Sequence, residues 1–174
     1  VNIMSKLDRD VYRGGEKLPV EYCDAMAALR GFANSTLCSS VVFSAGMNPR
    51  LFSYAASFDD FFPDAEGGIK KKIILKVSDY RSAAIQGKVF AKKGLWVSEY
   101  RIESGLNCGG HAFATQGHLM GPILEEFKKN KAKLNQTLHS MYAKALVSSG
   151  RPSPETPQGI GITVQGGIGT AEED

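Results

Sequence analysis

The segment from Gly105 to His111 holds the residues best suited to chemistry. It contains a cysteine, Cys108, then Gly109 and Gly110, and then His111. A neutral imidazole can act as a general acid or base near neutral pH. Two adjacent glycines would let a ligand ring lie against the backbone and would direct His111 into a pocket. A loop histidine held by hydrogen bonds is the structural alternative. We expect His111 to be catalytic.

Cys108 offers a different chemistry. A thiol nucleophile needs a depressed pKa and a nearby base, and His111 follows three residues later. An enzyme that depends on Cys108, of the nucleotide dehydrogenase type, is therefore a second interpretation. Cys23 and Cys38 are interpreted as buried structural thiols. Three cysteines without metal-type spacing predict no metal site and favour a reduced, cytoplasmic protein.

A second glycine-rich turn, Gly166–Thr170, joins a strand pattern ending at Gln165 to a helix expected from Ala171. Glycines let backbone amides approach an anion, and a helix N-terminus adds a favourable dipole. The phosphate of FMN is the ligand that we expect there. A tight turn that needs positive φ angles is the structural alternative.

Charged residues interrupt two predicted strands. Lys76 follows three apolar residues of a strand, where an unpaired charge is costly to bury. It could face the N1–C2=O edge of a flavin, where negative charge builds on reduction, or it could extend to water. Glu99, Arg101 and Glu103 share one face of the next strand. We interpret Glu99 and Arg101 as a salt-bridged layer and place Glu103 nearer the site.

The elements that must position these residues alternate along the chain. Strand patterns cover 1–4, 39–43, 73–77, 95–102 and 159–164, and helix patterns cover 19–32, 49–58, 79–93 and 119–146. Strands separated by helices predict a parallel sheet covered by helices, as a closed barrel or as an open doubly wound sheet. The unusual polar residues all follow a strand, at the edge where such folds bind ligands.

Composition excludes several classes of protein. The 174 residues are 43% hydrophobic and 22% charged with a net charge of +3, which suits one soluble domain. The lysines at 70–72 and 128–133 lack interleaved aromatic residues, so we expect solvated surface and no nucleic-acid partner. There is no secretory signal and no apolar run of about 18 residues, so no membrane partner is expected.

Four segments resemble one family in the same order along the chain. They are Ser44–Pro49, Lys76-Val77-Ser78, Ser104–His111 and Gly166–Thr170. The chain resembles the nitronate monooxygenase superfamily of FMN-binding TIM barrels and, within it, the trans-acting enoyl reductases of polyketide and polyunsaturated fatty acid synthesis. Asn107 and Cys108 stand where that family usually has Glu-Ala, and Gln165 stands where Ala or Gly is common.

The resemblance implies an FMN-dependent oxidoreductase with His111 as catalytic acid or base. Its substrate would be a small activated nitro compound or an α,β-unsaturated acyl thioester. The residues implied to line the flavin site are Lys76, Gly109, Gly110, Gln165, Gly166, Gly167, Gly169 and Thr170. Those on the substrate side are Ser44, Glu103, Asn107 and Cys108.

The implied fold is a (β/α) barrel of the TIM-barrel type, and the chain covers only part of one. Eight βα units typically take about 250 residues, whereas five strand patterns are visible here. We therefore expect residues 1–174 to be a single partial-barrel domain, completed by flanking segments of the same protein or in a homo-oligomer. A non-catalytic barrel fragment that serves as a binding module is the third interpretation.

Overall fold

The computed structural model describes residues 1–3, 9–44, 46–103 and 120–165 and has a mixed α/β fold. The elements in chain order are β1 (Asn2–Ile3), β2 (Tyr12–Arg13), β3 (Glu16–Lys17), α1 (Asp24–Ala33), β4 (Ser39–Phe43), α2 (Pro49–Ala55), β5 (Lys71–Val77), α3 (Tyr80–Ala91), β6 (Val97–Glu103), α4 (Met120–Ser148) and β7 (Gly161–Gln165). Short 3-10 helices cover Val20–Tyr22 and Asp59–Phe61. Strands β2 and β3 form a separate antiparallel hairpin.

The other five strands form one parallel sheet in the order β1-β4-β5-β6-β7. The predicted parallel sheet is therefore confirmed. Spatial order follows chain order, without the reversal that defines a doubly wound sheet. Parallel crossovers are almost always right-handed, so crossovers that all step in one direction place their helices on one face. Within the described residues β1 and β7 are the two edges of the sheet, and a closed barrel is not formed.

Side chains alternate between the two faces of this sheet. Ile73, Leu75 and Val77 of β5 and Tyr100 and Ile102 of β6 join the hydrophobic core under the helices. The intervening positions therefore point to the opposite face. We call that side the polar face, after five of its residues: Lys76, Glu99, Arg101, Glu103 and Thr163.

Two helices begin where the sequence predicts. Pro49 is the first residue of α2, and the Asn48 side chain accepts a hydrogen bond from the Leu51 amide at 3.1 Å. Asp79 caps α3 by accepting from the Ser82 amide at 2.6 Å. Helix α1 begins five residues later than predicted, because residues 20–22 form a 3-10 turn before it.

The buried face of α4 is partly as predicted. Phe127, Leu134 and Leu138 are buried, whereas the expected Met141 and Ala145 are only half-buried. Tyr142 and Leu146 take their place in the core. The other side of this 29-residue helix carries charges. In the part of the chain that the structure describes, no helix combines the length and the apolar character needed to cross a membrane.

Helices α3 and α4 end in the same way. Gly94 and Gly150 take the left-handed conformation, with φ of 71° and 69°. After each glycine, the next amide donates to the carbonyl five residues earlier, at 3.1 Å for α3 and 2.9 Å for α4. The glycine amide itself donates to the carbonyl three residues earlier, at 3.0 Å in both helices. This is the Schellman arrangement, which satisfies terminal carbonyls within the backbone.

Lys71 corrects the expectation of a solvated lysine cluster at 70–72. Its side chain is fully buried, and its ammonium donates to the Ser35 carbonyl and hydroxyl, both at 2.9 Å, and to the Leu37 carbonyl. It also lies 4.6 Å from the centre of the Phe32 ring. Hydrogen bonds to protein oxygens thus replace the hydration of the Lys71 ammonium. They hold the α1–β4 connection against β5.

Cys38 was also predicted wrongly. It is exposed, whereas Cys23 is buried as expected. In the α1–β4 connection it is the backbone carbonyls that turn inward toward Lys71, and Cys38, just before β4, faces solvent.

Replacing Lys71 with Met should destabilise the fold. The substitution removes the donor that the Ser35 and Leu37 carbonyls share in a partly buried site, which costs about 1–3 kcal/mol. Lys72→Met, at the exposed neighbouring position, should change the free energy of unfolding by no more than about 0.5 kcal/mol. Urea unfolding of both variants measures the difference, and equal stability of the two would contradict a clamping role for Lys71.

Candidate functional site

Strands β6 and β7 end side by side. Glu103, the last residue of β6, pairs in register with Gln165, the last residue of β7. Neighbouring strands lie about 4.8 Å apart, so segments that continue from 104 and from 166 leave the sheet at adjacent points. The two strands that precede the predicted catalytic turn and the predicted phosphate-binding turn therefore end next to one another.

Most of the predicted site residues lie outside the described part of the chain. These are Asn107, Cys108, Gly109, Gly110 and His111 in the first turn, and Gly166, Gly167, Gly169 and Thr170 in the second. Their positions in space stay predictions. The structure does describe Ser44, Lys76, Glu103 and Gln165.

Those four residues come from consecutive strands. In register, Val42 of β4 pairs with Ile74 of β5, which aligns Ser44 with Lys76 two residues further on. Glu103 and Gln165 follow at the ends of β6 and β7. Ser44 is buried, and Gln165 is exposed. The structure thus gathers a hydroxyl, an ammonium, a carboxylate and an amide along one edge of the sheet.

Lys76 and Glu103 form a buried ion pair between the Lys76 ammonium and Glu103 Oε1. The Lys76 side chain is only 1% exposed. The prediction that Lys76 could extend to water is therefore wrong. Strand β5 has a parallel partner on each side, and Glu103 projects from one of them on the same face. A buried charge is tolerable in this position because its counter-charge is fixed by the neighbouring strand.

Glu99, Arg101 and Thr163 make a second polar layer, one step back from the edge. Arg101 donates to Glu99 Oε1 through Nη2 at 2.8 Å and through Nε at 3.1 Å. The Thr163 hydroxyl donates to the same oxygen at 2.6 Å. The predicted salt-bridged layer is confirmed. Because both charged side chains keep about a quarter of their surface in solvent, the pair contributes at most about 1 kcal/mol.

The two layers together are electrically balanced. Charges along β6 alternate from Glu99 through Arg101 to Glu103, and Lys76 stands beside Arg101 in register. Each cation therefore has a carboxylate on a neighbouring position. A ligand at this edge would meet directed hydrogen-bond donors and acceptors with no net charge from these four side chains.

The hairpin of β2 and β3 was missed by sequence reasoning. It lies in the β1–α1 connection, which leaves the sheet at the carboxyl end of β1. The candidate site lies at the same edge of the sheet. A Gly14-Gly15 pair between two short polar strands is a known hairpin signal and could have revealed it. Tyr12 of the hairpin is 61% exposed. The connection thus adds an exposed aromatic residue to the segments that follow the strand ends.

Two buried tyrosines, Tyr100 and Tyr142, lie on the helical face of the sheet and stay neutral. Burial raises the pKa of the Tyr100 and Tyr142 hydroxyls well above the usual tyrosine range. His139, expected to lie outside the site, packs with its ring centre 6.4 Å from that of Trp96. It belongs to α4 on the helical face of the sheet, away from the polar face. His118 lies outside the described residues.

The buried ion pair predicts an asymmetry between single and double substitutions. Lys76→Met leaves the Glu103 carboxylate buried without its cation and should cost about 3–5 kcal/mol of unfolding free energy. Lys76→Met with Glu103→Leu removes both charges and should recover most of that loss. Arg101→Met, which breaks the partly exposed Arg101–Glu99 pair, should cost about 1 kcal/mol or less. Chemical denaturation gives all three values, and a double variant no more stable than the single one would refute the pairing.

Comparisons with known proteins leave the family open. A scan against family models finds no match, and searches of curated proteins and of solved structures return no significant similarity. The fold and the candidate site are therefore inferred from the geometry of this chain alone. That the chain is related to flavin-binding barrels is a proposal.

Proposed function

We propose that this chain is part of an FMN-dependent oxidoreductase of the (β/α)-barrel type. The substrate would be a small activated nitro compound or an α,β-unsaturated acyl thioester. Five parallel strands in chain order, with their helices on one face, are the arrangement from which such a barrel is built. Barrel enzymes carry their sites on the loops at the carboxyl ends of the strands, where the residues of interest are found.

The observation that carries the proposal is the pairing of Glu103 with Gln165. It starts the Gly105–His111 segment and the Gly166–Thr170 segment from adjacent strand ends. If the Gly166–Thr170 segment binds the phosphate of FMN, the flavin ring would extend toward the Gly105–His111 segment. A sheet in which these strands were distant would not support one shared site.

Lys76, one of the described residues, supports the choice of FMN at this edge. Lys76 is a buried ammonium with three N–H donors, and its ion pair with Glu103 removes the penalty of an isolated charge. It can therefore present a donor to the ring edge of a flavin without adding net charge. The backbone amides of Gly166, Gly167 and Gly169 would hold the phosphate. When bound, FMN would supply the hydride or electron transfer that protein side chains cannot.

His111 has the proton-transfer role in this proposal. Its imidazole would give a proton to the substrate or take one from it, near neutral pH. Ser44, Asn107 and Cys108 would orient the substrate. Lys76 and Glu103 would hold the edge of the site in place, because their buried pair fixes the ends of β5 and β6 relative to one another.

Gly167→Leu should abolish FMN binding. A bulky side chain in the Gly166–Thr170 turn would keep the phosphate from the backbone amides. Gly159→Leu is the matched control, since Gly159 precedes β7 and a Cβ there meets nothing within 4 Å. Flavin retained after gel filtration measures the effect. If Gly167→Leu holds flavin as tightly as the control does, the phosphate assignment is wrong.

His111→Ala should keep FMN and lose turnover by about 10²–10⁴-fold, the usual contribution of a general acid or base. Cys108→Ala separates this proposal from the nucleophile interpretation: because Cys108 would only orient the substrate, this variant should lose far less activity than His111→Ala. The measurement is the rate per bound flavin with a nitronate or an enoyl thioester. Loss of flavin with an unchanged rate per flavin would make His111 structural, and inactivation by Cys108→Ala would favour the thiol mechanism.

A further inference from the structure

A groove of 660 Å³ lies between the C-terminal ends of α3 and α4. Residues 92–93 lead into β6 and residues 148–151 lead toward β7, so the groove is at the amino ends of the strands, opposite the candidate site. We call it the basic groove and define it by six of its lining residues: Phe62, Lys92, Lys93, Met141, Lys144 and Arg151.

The basic groove has an excess of positive charge. Arg151 Nη2 pairs with Asp59 Oδ1 at 2.7 Å. Among the ion pairs within the described residues, none involves Lys92, Lys93 or Lys144. Four cations thus face one carboxylate, which itself is 87% exposed. An anionic partner would complete the charge balance.

Helix termination explains these lysines only in part. Cations near a helix C-terminus interact favourably with its dipole and can bond its last carbonyls. Here Gly94 and Gly150 direct backbone amides to those carbonyls, so lysine side chains are not needed as donors. Arg151 comes after the end of α4 and lies against Phe62. The helix ends alone therefore do not account for four cations around one groove.

The floor of the groove is apolar. Met141 and Ala145 lie on one stripe of α4 with Lys144 between them in sequence. The Arg151 guanidinium stacks over Phe62, with its carbon 3.7 Å from the ring centre, and is held in place by Asp59. An apolar strip beside the lysines and Arg151 matches a ligand with both carboxylates and apolar side chains.

Nucleic acid matches the groove less well. Single-stranded nucleic acid is bound by exposed aromatic faces on which bases stack. Phe62 is the aromatic residue lining this groove, and Arg151 occupies its face. A free phosphate would use the cations but leave the apolar strip uncovered.

We propose that the basic groove docks an acidic amphipathic segment of a partner protein. Its carboxylates pair with Lys92, Lys93, Lys144 and Arg151, and its apolar side chains cover Met141 and Ala145. Helical segments bind grooves in this way through side chains spaced one turn apart. Because the groove is at the end of the sheet away from the candidate site, docking leaves that site open.

The test uses a fluorescein-labelled peptide with Glu and Leu at helical spacing. The dissociation constant (Kd) for its complex with the full chain is measured by fluorescence anisotropy. Charge reversal by Lys92→Glu, Lys93→Glu and Lys144→Glu together should raise Kd roughly tenfold or more. Reversal of Lys128, Lys131 and Lys133, which are exposed on α4 away from the groove, gives the same net charge and should change Kd by less than about twofold. Two further triple variants, with Gln in place of the same lysines, repeat the comparison by removing charge without reversing it. Circular dichroism verifies that all variants fold.

A second peptide, with Ser in place of Leu, tests the apolar floor and should bind roughly tenfold more weakly than the first. Three outcomes would overturn the proposal. They are no binding of the Glu-Leu peptide, equal weakening by both lysine triples, and equal affinity for the Glu-Ser peptide. Displacement of the Glu-Leu peptide by tripolyphosphate at a similar concentration would instead make the groove a site for small anions.

Discussion

The parallel pairing of five strands in chain order is the constraint on which the rest of this structure depends. Right-handed crossovers that advance in one direction put the helices on the same side. One face of the sheet is then buried under an apolar layer, and the other face is free to carry charge. The same geometry collects every β-to-α connection at the carboxyl edge and every α-to-β connection at the opposite edge, which separates the candidate site from the basic groove.

Charge on the polar face is balanced by opposite charges on the same face, across strands for Lys76 and within β6 for Arg101. Lys76 is buried because Glu103 projects beside it from β6. Arg101 donates to Glu99 in the same strand and to Thr163 on β7. Buried pairs of this kind are weak sources of stability but are costly to break on one side. The Lys76–Glu103 pair therefore fixes the ends of β5 and β6 relative to one another, and β6 in turn pairs with β7, the strand that precedes the second glycine-rich segment.

Local signals predicted local structure well. Asp79 and Pro49 mark helix starts because capping depends on a few adjacent residues, and apolar runs identified the strands. Predictions failed where distant residues decide the outcome. Lys71 is buried because oxygens of Ser35 and Leu37 reach it across the sheet edge, and a run of three lysines carries no sign of this. The strand register places Lys76 opposite Arg101, midway between Glu99 and Glu103. Lys76 pairs with Glu103 while Arg101 and Thr163 bind Glu99, an outcome that depends on side chains of three strands and that no local pattern indicates.

We propose that the two glycine-rich segments bind one FMN molecule between them. The most direct test of this proposal is the visible absorption spectrum of the full-length protein, as purified and during titration with FMN. We predict flavin bands that co-elute with the protein and shift from those of free FMN, because a ring held near the Lys76–Glu103 pair leaves water. A colourless protein whose titration leaves the spectrum of added FMN unchanged would contradict the account.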